Sequence, residues 1–323
     1  MNKTGITVYG CERDEAHMFR AVSPRFGVVP MIVRGALSEA NAALTSGNRC
    51  VSVGHKSRVS EPLIRLLKSA GVKYISTRSV GCDHIDTRAA GRMGIAVEGV
   101  AYSPGSVADH TLMLILLAVR DAKAIVSAAE RHDFRLRRAR GKELCDLTVG
   151  VVGAGRIGAA VAARLRGFGC RVLACGRGRE AAAAAYVPLD ELLRKSDVVT
   201  LHLPLNADTR HIIGRAQLQI MRRGAFLVNT GRGALIDTAA LVQALESGAL
   251  GGAALDVLEG EEGLFYCDRT QTPIDNPFFL RLQRMPNVVI TPHTAYYTER
   301  ALRDTVENTI TNCLAFERGR AYG

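Results

Sequence analysis

Arg232 stands between two glycines in "LVNTGRG", Asp256 and Glu261 follow the next apolar run in "AALDVLEGEE", and His293 follows the one after in "VVITPHT". A planar guanidinium grips a carboxylate and polarises a neighbouring carbonyl as a lysine's point charge does not, so Arg232 is read as a substrate clamp. An imidazolium beside a carbonyl oxygen that gains negative charge can hand over its proton, the role that His293 fits. A carboxylate against the second ring nitrogen stabilises the charged imidazole, and Glu261 is the candidate for it. Taken singly these are a turn arginine, helix-capping acids and a histidine satisfied by its neighbours. Delivered by three strand ends to one rim, they read as a reaction centre for a small molecule with both a carboxylate and a carbonyl.

A rim needs a sheet, and "VVGAGRIG" points to one. Gly153, Gly155 and Gly158 form GxGxxG directly after an apolar strand and at the start of a helix, the context that makes this pattern specific. The first glycine allows the tight turn, the second lets a pyrophosphate approach the backbone, and the third lets helix pack on strand. Amides at the helix start, those of Arg156 and Ile157 among them, would hold the phosphates. The expected cofactor is NADPH or NADH. An acid about 20 residues further on would bind the ribose hydroxyls of NAD. Here "CRVLAC" runs instead into Gly176, Arg177, Gly178 and Arg179. Two guanidiniums can pair with a 2′-phosphate and no carboxylate repels it, so the expectation is that NADPH is accepted and preferred.

Short apolar runs alternate with helical stretches on both sides of the fingerprint. Before it come "GITVYG", "VVPMIV", "CVSVGH", "VKYISTR" and "IAVEG", with helices from Glu12, from Ser60 and near His84. After it come "CRVLAC", "DVVTLHLPL", "GAFLVNT", "GGAALDVL" and "NVVITPH". Such alternation predicts an α/β protein with two doubly wound parallel sheets. One long helix, "SVADHTLMLILLAVRDAKAIVSAAERHD", is expected between the arrays, with Ser106 as its N-cap and Asp109 in its first turn. The amphipathic last segment, "TERALRDTVENTITNCLAFERG", has no strand left beside it and finds a partner by returning to the first array. The stretch "REAAAAAY" is low in complexity.

A chain of 323 residues, 47% hydrophobic, can bury the cores of two domains. Lys and Arg number 42 against 31 Asp and Glu, net +11, but the basic residues are scattered. The densest run, "RHDFRLRRARGK", reads as a solvated helix end and connector, and with no Trp there is little to stack bases. The charge favours anionic small molecules over nucleic acid. Eight cysteines without CxxC or Cys/His spacing read as reduced core thiols, with no metal site. "MNKTGITVYG" runs straight into a strand, and "LMLILLAV" is too short to span a bilayer, so a cytoplasmic protein without a membrane partner is expected.

Over nearly its whole length the chain resembles the D-isomer-specific 2-hydroxy acid dehydrogenases, through "GVVGAGRIG", "LHLPLNADTRHIIG", "NTGRGALID", "GGAALDVLE" and "PNVVITPHTAYYTE" in the family's order. Within that family it is most similar to the VanH-type D-lactate dehydrogenases of glycopeptide resistance, through "GITVYGCERDEA", "VSVGHKS", "YISTRSVGCDHID", "VAYSPGSVADHT", "HDFRLRRARGK" and "VLEGEEGLFY". The resemblance implies reduction of pyruvate to D-lactate by NAD(P)H, the product being joined to D-alanine in cell-wall precursors that glycopeptides bind poorly. It implies a catalytic set of Arg232, Glu261 and His293, with Asp256 beside the nicotinamide and the histidine. It places the amides of Val80 and Gly81 on the substrate carboxylate, Tyr102 and Tyr296 around the substrate methyl, and His202, Pro204 and Thr230 against the cofactor. Read without it, "RSVGCDHID" is a strand-to-helix turn capped by Asp83. The implied fold is a flavodoxin-like substrate domain, 1–102 completed by a C-terminal helix at 297–323, with a Rossmann dinucleotide-binding domain at 103–296 and a homodimer built through it. A sister dehydrogenase acting on another 2-keto acid and a dinucleotide-sensing corepressor are the alternatives.

Overall fold

The computed structural model describes residues 4–45, 47–136, 140–176 and 184–319. The chain divides into two compact units, 1–103 with 297–323, and 104–296.

The first unit runs β1 (Thr4–Tyr9), α1 (Arg13–Val22), β2 (Val28–Val33), β3 (Cys50–Val53), α2 (Glu61–Ser69), β4 (Tyr74–Thr77), α3 (Thr87–Arg92) and β5 (Ala96–Gly99). The strands form one parallel sheet in the order β2-β1-β3-β4-β5. Every residue of β3 and β4 is buried, as a parallel sheet covered on both faces requires. Helix α1 buries Ala16, Phe19 and Val22, and α2 buries Leu63, Ile64 and Leu67, each one stripe at helical spacing. Asp83 does not cap α3. Residues 84 to 86 first bridge to Val59, which accepts from Asp86 N (2.9 Å) and donates to the His84 carbonyl (2.8 Å). Only after that bridge does the helix begin, and Asp86 Oδ1 takes the amide of Ala89 at 2.9 Å.

In the second unit the predicted long helix is two helices, α4 (Pro104–Val119) and α5 (Ala122–Glu130). Proline starts the first, as its fixed φ favours. Ser106 therefore lies inside α4 and not at its cap; its hydroxyl donates to the Ala295 carbonyl at 2.8 Å. The break falls at Asp121, in the left-handed conformation at φ 51. Beyond it, the Lys123 ammonium donates to the carbonyls of Gln283, Met285 and Val288. Helix α4 packs Leu114, Ile115 and Ala118 into the core of its own unit.

The chain continues through β6 (Thr148–Val152), α6 (Arg156–Gly167), β7 (Arg171–Cys175), β8 (Ala185–Tyr186), α7 (Leu189–Lys195), β9 (Val198–Leu201), α8 (Arg215–Ile220), β10 (Ala225–Asn229), α9 (Thr238–Glu246), β11 (Leu250–Leu255), α10 (Pro277–Arg284) and β12 (Val288–Ile290). These strands form a parallel sheet in the order β12-β11-β10-β9-β6-β7-β8. Strand β8, paired with β7, lies at the end of the stretch read only as low in complexity. Register aligns Cys175, Val152, Leu201, Asn229, Leu255 and Ile290 in one row across the sheet.

The last helix, α11 (Glu299–Glu317), belongs to the first unit. Its Val306, Ile310 and Cys313 share a core with Ile6, Val8, Phe19 and Tyr74. All eight cysteines are free thiols, but not all lie in the core: Cys145 and Cys267 are exposed. Among the described residues no helix is long and apolar enough to cross a membrane.

Candidate active site

The aligned row explains why distant residues meet. The residue that follows it on each of five strands is Gly153, His202, Thr230, Asp256 or Thr291, so all five stand at the carboxyl edge of the sheet. Between β6 and β9 the strand order reverses, the place where doubly wound sheets bind ligands.

At that switch point Gly153 adopts φ +96, and a Cβ on it would lie 2.5 Å from the His202 carbonyl oxygen. A Cβ on Gly158 would lie 2.0 Å from the Gly153 oxygen, so helix α6 sits against the turn only because the side chain is missing. Gly155 differs: a Cβ there meets nothing within 4 Å, and as the N-cap it offers no side chain to the α6 amides that begin at Arg156 and the half-buried Ile157. The His202 ring sits beside the turn with its Nε2 3.0 Å from Thr200 Oγ1 and its Nδ1 buried without a partner among the described residues. Burial pushes the His202 imidazole down to about 3. Uncapped amides, open space over Gly155 and an unused buried nitrogen fit a dinucleotide. Buried Thr230 is 2.8 Å from Thr111 hydroxyl to hydroxyl, and exposed Pro204 accepts from Thr209 at 2.7 Å. Arg177 and Arg179 lie outside the described residues.

Three strands along, the acid–histidine pair is in contact: His293 Nδ1 lies 2.6 Å from Glu261 Oε1, and Glu261 Oε2 accepts the Leu258 amide at 2.7 Å. His293 is left-handed at φ 54, with its amide on the carbonyls of Asp256 (2.7 Å) and Thr291 (3.0 Å). Its carbonyl accepts the Tyr266 hydroxyl at 2.7 Å, and its ring stands 5.9 Å from that of Tyr266 and 6.3 Å, edge-on, from that of Tyr296.

Asp256 has a different place from the one its position suggests. Its carboxylate is fully buried and takes hydrogen bonds from Thr291 Oγ1 (2.5 Å) and the amides of Thr294 and Ala295 (2.9 Å each), with His110 Nε2 at 3.2 Å. Burial alone would raise its pKa; the bonds from His110, Thr291, Ala295 and Thr294 outweigh that and hold it below the usual carboxylate range. Its bonds from Thr291, Thr294 and Ala295 flank His293 on both sides and tie down the loop that carries it.

The glycines around Arg232 have separate reasons. Buried Asn229 ties the turn at both ends, donating to the Arg232 carbonyl (2.8 Å) and accepting from Gly231 N (3.0 Å). Gly233 is crossed by the backbone of Leu258 and Glu259, whose nearest atom would lie 1.9 Å from a Cβ. That crossing segment also carries Glu261, so Gly233 lets the arginine turn pack against the stretch that bears the acid.

In the first unit Val80 is exposed and Gly81 and Tyr102 are half-buried. The Val80 turn is pressed against Gly99, where a Cβ would lie 2.6 Å from the Val80 oxygen. Beneath it, buried Arg78 donates to the carbonyls of Tyr9 and Gly10, to Ser52 Oγ and to Glu15 Oε1. His84, part of "CDH", spends Nε2 on Thr77 Oγ1 at 2.9 Å. Sequence reading missed Asn229, His110 and Arg78; a polar residue ending an otherwise apolar strand is the signal that Asn229 carries.

Comparison with known proteins gives the family. Residues 112–295 match a family model described as the NAD-binding domain of D-isomer specific 2-hydroxyacid dehydrogenases. The chain is 66% identical over 322 residues to a D-specific alpha-keto acid dehydrogenase of Enterococcus faecium, covering 100% of each. It is 63% identical to one of Enterococcus faecalis, covering 97% of each. Its structure is similar to that of a D-lactate dehydrogenase from Aquifex aeolicus complexed with NAD and lactic acid, with a TM-score of 0.87, 32% identity and coverage of 97% and 96%. The chain belongs to the D-isomer-specific 2-hydroxyacid dehydrogenases, oxidoreductases that use NAD.

Proposed function

We propose that this enzyme is a cytoplasmic, homodimeric D-lactate dehydrogenase that reduces pyruvate to D-lactate with NADPH or NADH, and that the product feeds D-alanyl-D-lactate precursors of a glycopeptide-resistant cell wall. The observation that carries the chemistry is the 2.6 Å contact of His293 Nδ1 with Glu261 at the dinucleotide edge of the sheet. The dinucleotide supplies the hydride. Arg232 clamps the substrate carboxylate with its guanidinium fork. His293, its Nδ1 engaged, gives the Nε2 proton to the carbonyl oxygen as negative charge develops there. Glu261 keeps the ring in that orientation and stabilises imidazolium before transfer. Asp256 holds the loop, and Val80, Gly81, Tyr102 and Tyr296 are the proposed substrate contacts. The acid-reducing relatives and the net positive charge support a small anionic substrate. Preference for NADPH rests on the missing acid after β7 and on Arg177 and Arg179.

Pyruvate-dependent oxidation of NADPH and NADH, with the product resolved by chirality, tests the proposal. D-lactate from the wild type, and a fall in turnover of roughly 10² to 10⁴ in His293→Ala with dinucleotide binding retained, is the expected result. Turnover of a branched 2-keto acid but not of pyruvate would move the substrate, and NADH favoured tenfold would refute the cofactor preference. No turnover with either would return the chain to a binding role.

A further inference from the structure

We infer that Tyr266 is a positioning residue for the reacting histidine: it clamps the His293 backbone while Glu261 clamps the ring, and both arms of the clamp come from one turn. The inference rests on the reading of His293 as proton donor.

The left-handed backbone of His293 (φ 54) is crowded by its own Cβ, so it persists only where the surroundings impose it. On its amino side, the carbonyls of Asp256 and Thr291 hold its amide. On its carboxyl side, the Tyr266 hydroxyl holds its carbonyl at 2.7 Å. Tyr266 is itself left-handed at φ 62, so two disfavoured residues are tied to each other. The Glu261 carbonyl accepts the amides of Leu264 and Phe265, closing the turn that ends at Tyr266. Buried Phe265 anchors that turn with its ring 6.5 Å from Phe279, edge to face. The segment therefore delivers a carboxylate to Nδ1 and a phenol to the carbonyl of the same residue.

A bond to the carbonyl restrains ψ, and the backbone angles limit the side-chain rotamers from which the ring can point. If the phenol is lost, the peptide after His293 can turn and the ring can swing off Glu261, taking Nε2 from the carbonyl it must protonate. The phenol stays a donor across the working range: burial first, then the neighbouring Tyr296 and the charges of Glu261 and Asp256, push it above its ordinary value.

Tyr266→Phe removes only the hydroxyl. With pyruvate we expect kcat to fall roughly tenfold, the scale of one net hydrogen bond, while KM and the melting temperature stay near the wild-type values. The solvent isotope effect on kcat should rise as proton transfer becomes limiting. Combined with Glu261→Gln, the loss should be less than the product of the single losses, because both substitutions release one ring. A wild-type kcat and isotope effect in Tyr266→Phe, or a joint collapse of kcat, KM and melting temperature, overturns the inference. The exchange of the His293 Nδ1 proton, followed by nuclear magnetic resonance without substrate, separates the two readings. Faster exchange in Tyr266→Phe upholds the clamp even if pyruvate is not the substrate; unchanged exchange sinks it even if pyruvate turns over.

Discussion

His202 lies at the switch point with a ring nitrogen that nothing among the described residues uses. Burial lowers its pKa from 6.5 to about 3, so in acid the unfolded chain takes up a proton that the folded one refuses. Its contribution to stability is therefore complete above pH 6.5 and is lost as the pH falls toward 3, with a slope of about 1.4 kcal/mol per pH unit for one proton. Asp256 adds to the same trend lower down: its folded carboxyl lies below the ordinary 3.8, so its contribution is present above that value and fades below it. Melting curves of the apoprotein between pH 7 and pH 4 should show the fall, and His202→Asn should flatten it; an unchanged slope would refute the assignment. At this scale the contact of His293 with Glu261 was legible, because carboxylate and imidazole at successive strand ends suit one chemistry. Asn229, His110 and Tyr266 were not, since their partners are fixed by which strands become neighbours.

The three fingerprint glycines make separable demands on their elements. Gly158 keeps α6 against β6, and a methyl there would lie 2.0 Å from the Gly153 oxygen. Gly158→Ala should cost about 1–3 kcal/mol through overpacking, visible as a lower melting temperature. Gly155→Ala should fold with an unchanged melting temperature, because a Cβ meets nothing within 4 Å, yet lose dinucleotide affinity at least tenfold by calorimetric titration. Equal melting losses in the two would show that Gly155 is structural. Ten of the twelve described strands lie at apolar runs picked out by alternation with helices. Of the other two, β6 lies in the fingerprint itself and β8 was missed, for a two-residue strand carries no period. The break at Asp121 was hidden too, because an apolar stripe continues on both sides of it and only backbone conformation marks the bend.

Over the whole molecule, the charge of +11 and the double βα rhythm were legible as an enzyme for small acids, whereas surfaces are not written in periodicity. In the second unit Met113, Ile125, Val126, Phe134 and Leu136 are all exposed, on α4, on α5 and just beyond. The proposed dimer would cover apolar side chains such as these. Light scattering at micromolar concentration should give a dimer, and Ile125→Glu with Val126→Glu should shift it to monomer without moving the melting temperature of either unit by much. A wild-type monomer would end the dimer proposal.

Helix α11 completes the core around Ile6, Val8, Phe19 and Tyr74 after the whole of 104–296 has intervened. As the chain emerges from the ribosome, the second unit has all its strands in hand before the first has its last helix. Five strands made first therefore wait longest with the apolar face that α11 covers still open to water.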